Sequence, residues 1–567
     1  MRKLKGNNLK RAYNINGKNT DKDITREFAD HFKTLLNNPS GTATSKHGPL
    51  PDSSNEVFVV SSTDVGEALA SLKENKSNDF FGTLAEHFIH SESQELLDRI
   101  ANLFTDMFAS GVSPTALSMT MLLPLVKSYR KSLKSSNNYR GISLIPILTK
   151  ILEYVILKKC PEITVSNSSQ FGFKLDSSTL HAEFLIIETV QYYNNHGSTV
   201  YMCSLDAEKA FDSCNWDTLF EKLFYEKHLP LPVVRVLQSL YKRGTYQVLY
   251  NGHVSYEFGA SQGVFQGSIL SPHFYNAYTE ELLEHISSSS EAGTMLFDTY
   301  TGIVAYADDV ILMSPTLSGL QHLINECSRF YNNNAISLNI EKTEFLTSGL
   351  RTPPDTNIEM YFQRIAPGDK LKHLGFIWNT QRRFGTLTDA NVRERISKFW
   401  SVVHGLIKGG VRFCHPESII DLYKTLAVPT LTYGLEIPRL TQTQMGNLDI
   451  EGRKAIKFLF NLSRYSKNHL NNIFNIDHIS TTVINNKMKL MSRLMNNNST
   501  RNIILSSLQS TLAHQSTIQD CLHLAQKHEI NFYDILLNND IAKLVTPHNI
   551  DDVPEEIRVS GFLERWR

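Results

Sequence analysis

Three aspartates stand where they could hold a cation. Asp308 and Asp309 are adjacent inside "GIVAYADDVILMS", residues 302 to 314, and Asp206 ends the apolar part of "STVYMCSLDAEKAFDSCNWDTLFEKLF", residues 198 to 224. Two carboxylates side by side disfavour each other's ionisation unless a positive charge lies beside them. A hairpin that only needed to turn would more usually take Asn-Gly or Asp-Gly. Taken alone, Asp308-Asp309 reads as a turn, since Asp hydrogen-bonds its own backbone, and Asp206 reads as an ordinary acid at a strand end. Taken together they offer oxygen ligands from separate elements, as a hard divalent cation requires. Two such ions would stabilise the attacking and leaving oxygens of an in-line phosphoryl displacement. Asp212 and Asn215, just before the next helix, read as turn or cap residues.

The elements that must position these side chains are legible in outline. Ile303 to Tyr306 and Val310 to Met313 read as two strands around the aspartates. "DITREFADHFKTLL" is a short amphipathic helix behind a basic start, and residues 37 to 55 are a polar linker. "STDVGEALASLKEN" and "SQELLDRIANLFTDMF" are helical, the first opening on a Ser/Thr cap. Strands and helices mix from about 120 to 380, and the pattern is helical after 390. This gives five segments: a start and linker (1–61), a helical extension (62–106), the mixed region (107–379), a helical segment (380–465) and an Asn-rich helical end (466–567). A chain of 567 residues is expected to hold several cores.

Composition excludes several classes. Lys plus Arg (57) equals Asp plus Glu (57), so net charge points to no polyanionic partner. The basic first thirteen residues lack an apolar segment behind them, which argues against a signal peptide. With no apolar run of about eighteen residues, no membrane span is expected, and the location is intracellular, nucleus or cytoplasm. The six cysteines are scattered, without a Cys-x-x-Cys pair, as in a reducing compartment. No Gly-x-x-x-x-Gly-Lys-Ser/Thr loop is present, so phosphates are not held in that manner.

A series of ordered blocks resembles the reverse transcriptase of non-LTR (LINE-type) retrotransposons. They are "KSSNNYRGISLIPILTKILEYVI", "QFGFKLDSSTLHA", "LDAEKAFD", "GVFQGSILSPHFYN", "AYADDV", "SLNIEKTEFLTS" and "LKHLGFIW", with "LYKTLAVPTLTYGLEI" similar to the helical thumb. An isolated Tyr-x-Asp-Asp is a weak signal; seven blocks in order are a strong one. The resemblance implies an α+β right-hand polymerase: fingers, a palm of antiparallel strands backed by helices, and a helical thumb, with helical extensions at both ends. It implies RNA-directed DNA polymerase activity, with Mg²⁺ as cofactor (two ions, Mn²⁺ as substitute) and an RNA template, a DNA primer and dNTPs as partners.

Residue by residue, the resemblance puts metal binding and catalysis on Asp206, Asp308 and Asp309. Phe211 falls where an aromatic crowds the sugar 2′ position; the alternative is a core aromatic. Lys127 and Arg140 fall where cations clamp the incoming triphosphate, although Lys127 equally fits a solvated surface lysine. Gln266 and Gly267 match the block that supports the templating base. Lys342 would protonate the pyrophosphate leaving group, or simply lie on a solvated face.

Three departures stand out: Phe265 where the family has Pro, Gly141 where it has the Pro of Arg-Pro-Ile, and "SNDFFG", which keeps only Asp79 and Gly82 of a Gly-x-Asp-Gly. Gly for Pro loosens the backbone beside Arg140. Two rival readings are an inactive retroelement remnant that binds RNA or a protein, and a nucleotide cyclase on a similar palm; the fingers and thumb blocks disfavour the latter. The roughly 120 residues before the fingers fall short of an ordinary endonuclease domain, and Cys521 alone cannot form a knuckle. The expectation is a chain that extends a supplied primer without cutting DNA, with a separate endonuclease as partner.

Overall fold

The computed structural model describes residues 14–37, 46–53, 55–91, 93–129, 131–288, 291–349, 356–379, 385–465, 470–509 and 516–528. The basic start (1–13), part of the polar linker (38–45) and the end of the Asn-rich segment (529–567) lie outside the described residues.

The strand pattern around the aspartates builds a four-stranded antiparallel sheet. Its order is Glu344–Ser348, Val200–Asp206, Asp309–Ser314 and Ile303–Tyr306. Side chains alternate between its faces, as strand geometry dictates. Tyr201, Cys203, Leu205, Val310 and Leu312 join one apolar cluster, and Val200, Met202, Ile311 and Met313 join another on the opposite face. Burial on both sides explains why these segments are continuous apolar runs rather than alternating ones. The helix Thr179–Asn195, buried almost all round, covers the second face.

A second sheet carries the candidate triphosphate cations. Its strands run Tyr139–Leu144, Met119–Val126, Thr245–Tyr250, His253–Val254. The first two are antiparallel, with Arg140 opposite Leu125. The helix Asp21–Asn37 lies across this sheet, with the Phe28 ring 4.8 Å from Tyr139 and 5.3 Å from Tyr250. The helix Ser62–Ala70 begins with a capping box on Ser61, one position before the first Ser of the quoted pattern. Asp79 is nearly buried; one of its oxygens takes the Phe81 and Thr83 amides and the other the Ile147 amide, 2.9 Å each. It thereby ties the N-terminal extension to the start of the helix Ile147–Lys159.

Beyond residue 385 the helices Gly385–Lys408, Pro416–Leu422 and Gln442–Leu459 gather around Phe399, Val403, Tyr423, Leu448 and Ile456. The helix Ile479–Leu494 belongs to two cores: Val483 faces that cluster, while Met488, Met491 and Leu494 pack with the helix Thr179–Asn195. Ile518 and Cys521 join them there. Packing therefore runs without a break across residue 465. Among the described residues no helix is long and apolar enough to cross a membrane. Cys160, Cys203, Cys214, Cys327 and Cys521 are buried free thiols.

Candidate active site

The two aspartates sit at a two-residue turn. Tyr306 pairs with Asp309, leaving Ala307 and Asp308 between the strands. Ala307 takes φ 57°, a left-handed conformation disfavoured for a residue with a Cβ. The "QFGF" block holds it there. The Gln170 side-chain oxygen accepts from the Ala307 amide (2.9 Å) and the Gly172 amide (2.8 Å), and the Phe171 amide donates to the Ala305 carbonyl (2.8 Å). A Cβ on Gly172 would lie 2.5 Å from the Ala307 nitrogen, so this close approach requires glycine.

The hydrogen-bonded register sets Asp206 opposite Asp309. All three carboxylates thus meet at one end of the sheet. Asp308 is half-buried and Asp309 is exposed. Loss of water raises both above the ordinary carboxylate range, and the charge of Asp206 adds to it in each case. Asp309 also raises Asp308, whereas Arg140 opposes that shift. Asp206 receives the Lys342 ammonium on both oxygens, at 2.6 and 3.1 Å. Among the described residues no three His, Cys, Asp or Glu side chains form a group that could hold a metal ion as they stand. The donors suit one in kind: three mutually repelling oxygen ligands, one already neutralised by a cation that a divalent ion would have to displace.

Near these acids lie basic side chains from distant parts of the chain. The Lys127 ammonium donates to the Asn137 carbonyl (3.1 Å) at the end of the fingers hairpin, next to Arg140. Burial lowers Lys127, Asp212 raises it, and Arg140, Lys209 and Lys342 lower it further, so all four cations sense the same space. At the centre is Asp212, raised by burial against the hydrogen bond of Gln266 and the charges of Lys127, Lys209 and Arg140. Gln266 Nε2 donates to Asp212 Oδ1 at 2.7 Å. A cavity of about 410 Å³ opens alongside, lined by His31, Ser136, Asn137, Lys209 and Gln262 among others. Burial and the Lys127 and Lys209 charges push His31 down to about 4, so its ring is neutral at physiological pH.

Phe211 is half-buried and stacks on the fully buried Tyr275, centroids 4.7 Å apart. Its ring is therefore supported by Tyr275 while remaining partly exposed. Gly267 has φ 117°, and a Cβ there would come within 3.1 Å of the Ser143 carbonyl; the preceding Gln266 carbonyl accepts from the Ser143 amide at 2.7 Å. The close approach that glycine permits at this position is to the fingers strand. Phe265 is buried against Tyr241, centroids 4.3 Å apart, which gives the Pro-to-Phe departure a packing reason. Gly141 has one too: a Cβ there would meet the Phe32 ring at 3.1 to 3.3 Å.

Sequence reasoning reached Asn215, which caps the helix Trp216–Tyr225 through the Thr218 amide. It gave Asp212 only a turn or cap role. Gln170 lies within one of the ordered blocks, where sequence alone does not reveal its hold on Ala307. Glu153 also went unassigned: buried in the helix Ile147–Lys159, it takes the Ser268 hydroxyl (2.5 Å) and the Ile269 amide (2.9 Å), and so braces the loop after Gln266. A lone acid inside "ILTKILEYVI" at a core-facing spacing was the available signal.

The family described as reverse transcriptase (RNA-dependent DNA polymerase) matches residues 131–378, the span that holds Arg140, all three aspartates and Lys342. The chain carries a reverse transcriptase domain. An RNA-directed DNA polymerase from the mobile element jockey of Drosophila melanogaster is 23% identical over 60% of this chain and 37% of its own length. The jockey enzyme of Drosophila funebris is 25% identical over 74% of this chain and 46% of its own. A Pol polyprotein from a type-2 retrotransposable element of Drosophila melanogaster is 27% identical over 39% and 20%. The chain thus spans less than half the length of these curated relatives. A solved telomerase from Candida albicans overlays 74% of this chain and 67% of its own at 11% identity and TM-score 0.37, too loose a likeness for detail. The expected α+β class and the kinship with non-LTR elements both hold for this reverse transcriptase domain.

Proposed function

We propose that the reverse transcriptase domain is an active RNA-directed DNA polymerase of a non-LTR retroelement, extending a DNA primer on an RNA template. The observation that carries this is the convergence of Asp206, Asp308 and Asp309 at one sheet end, with the Lys342 ammonium paired to Asp206. Asp206, Asp308 and Asp309 would hold Mg²⁺ ions, which would supply Lewis-acid stabilisation of the attacking and leaving oxygens. Lys127, Arg140 and Lys209 receive the triphosphate oxygens of a dNTP, as oriented cationic donors do for phosphoryl groups. Asp212 keeps these cations and Gln266 in place through its charge and its hydrogen bond. Phe211, backed by Tyr275, closes the space a ribose 2′-hydroxyl would need. Lys342 is the proton donor for the departing pyrophosphate.

The test is primer extension with purified chain on an RNA template, with and without Mg²⁺. Asp308→Ala should lower the rate by several orders of magnitude. Unchanged extension by that variant would sink the assignment.

A further inference from the structure

The turn at Ala307 and Asp308 does not hold its own shape. Of its two central residues only the first, Ala307, is left-handed, at φ 57°. Hairpin turns with positive φ at that position ordinarily take Gly there, which has no Cβ to strain. A residue with a Cβ stays in such a conformation only when its surroundings impose it.

Three of the ordered blocks meet to do so. Residues 169 to 172 run beside the strand Ile303–Tyr306 as a short parallel edge. The Phe171 amide donates to the Ala305 carbonyl (2.8 Å), and the Ala305 amide donates to the Ser169 carbonyl (2.9 Å). Gln170, 1% exposed, lays its side-chain oxygen against the Gly172 and Ala307 amides at once. Gly172 is seated in turn by Asn276, on the helix Ser271–Ser288, whose Nδ2 donates to the Gly172 carbonyl at 2.9 Å. Direct contacts thus run from Asn276 through Gly172 and Gln170 to Ala307, one residue short of Asp308.

The orientation of both amides is fixed. Turning Gln170 over would set its NH₂ against two N–H donors, and turning Asn276 over would set its oxygen against a carbonyl. The outer atoms, Gln170 Nε2 and Asn276 Oδ1, are buried and have no hydrogen-bond partner among the described residues. Burying them is costly, and an apolar side chain would avoid that cost, so the bonded ends are what the site is built for.

We propose that Gln170 and Asn276 are positioning residues for Asp308: together they impose the left-handed Ala307 and so fix the direction in which Asp308 leaves the turn. The inference rests on reading Asp308 as a catalytic carboxylate. Misplacing a reacting group by about 1 Å can cost on the order of 100-fold in rate, so loss of the grip is read in kcat.

The experiment follows primer extension on an RNA template by the full chain, with residue-resolved hydrogen exchange of the same samples. In wild type the Ala307 amide should exchange at least about 100-fold more slowly than an open turn amide, because its acceptor is buried. Gln170→Met should abolish that protection and lower kcat about 100-fold with little change in the dNTP KM. Asn276→Leu should move both readouts the same way. Gln170→Glu, which keeps the oxygen and loses only the unpartnered Nε2, should restore most of both. In an Ala307→Gly background, where a left-handed φ is free of strain, Gln170→Met should cost far less. A kcat loss undiminished by the glycine overturns the proposal, since a merely structural role would not be relieved there. If Gln170→Met does not fold, wild type and Gln170→Glu decide: a protected Ala307 amide in both supports the proposal, and loss of protection in either overturns it. Wild-type chain with a protected Ala307 amide that makes no DNA refutes the polymerase reading alone.

Discussion

Lys342 and a divalent cation compete for the same carboxylate. Both Asp206 oxygens accept from the Lys342 ammonium, so a metal must displace it before the lysine can serve at the leaving group. Lys342→Met should therefore lower the Mg²⁺ concentration needed for half-maximal extension while slowing the maximal rate by about 100-fold, the usual yield of a general acid. A Mg²⁺ titration reads both quantities, and a variant with an unchanged maximal rate would return Lys342 to the solvated face. Phe211 allows a second test at this scale. Because Tyr275 supports the ring from below, Phe211→Val should open the space above it and admit ribonucleotides far better, with deoxynucleotide use largely kept. The matched dNTP and rNTP efficiencies decide; an unchanged ratio makes Phe211 a core aromatic. Asp206, Asp308 and Asp309 were legible in the sequence because local pattern placed them at strand ends. Asp212 was not, since its partner Gln266 is 54 positions away and a lone Asp before a helix looks like a cap.

Among the elements, the helix Ile147–Lys159 carries a stability term with a definite pH sign. Burial raises Glu153 from 4.5 to about 7, over the opposing hydrogen bonds of Ser268 and Ile269. A carboxyl raised on folding stabilises fully below its unfolded value and loses that contribution as pH climbs through its folded one. The window is thus roughly pH 4.5 to 7, and the size on the order of 3 kcal/mol. Glu188, on the helix Thr179–Asn195, is raised to about 7 by the same cause and slopes the same way. Denaturant unfolding should show Glu153→Gln flatter than wild type across that window; parallel curves would place the Glu153 charge in water. The strands around the aspartates were readable because each is buried on both faces. The reasons for Gly141 and Phe265 were not, since Phe32 and Tyr241 reach them only once the chain has folded.

For the whole molecule, composition separated segments that packing joins. The break expected at 465 follows an Asn-rich shift in sequence, yet Met488, Met491, Leu494, Ile518 and Cys521 share a core with Phe184 and Leu185 of the helix behind the palm sheet. A chain ending at 465 should expose that apolar face and aggregate or melt well below the full chain. Light scattering and thermal unfolding check this, and a monomeric, equally stable product would show the C-terminal helices to be dispensable. The contact at Gly141 has a further consequence for motion. With the Phe32 ring 3.1 to 3.3 Å from where a Cβ on residue 141 would lie, the helix Asp21–Asn37 packs directly on the strand bearing Arg140. If Arg140 swings in toward an arriving nucleotide, the helix travels with it, and its outer residues, Lys22 among them, become a pointer on the protein surface that reads the state of the cleft from outside.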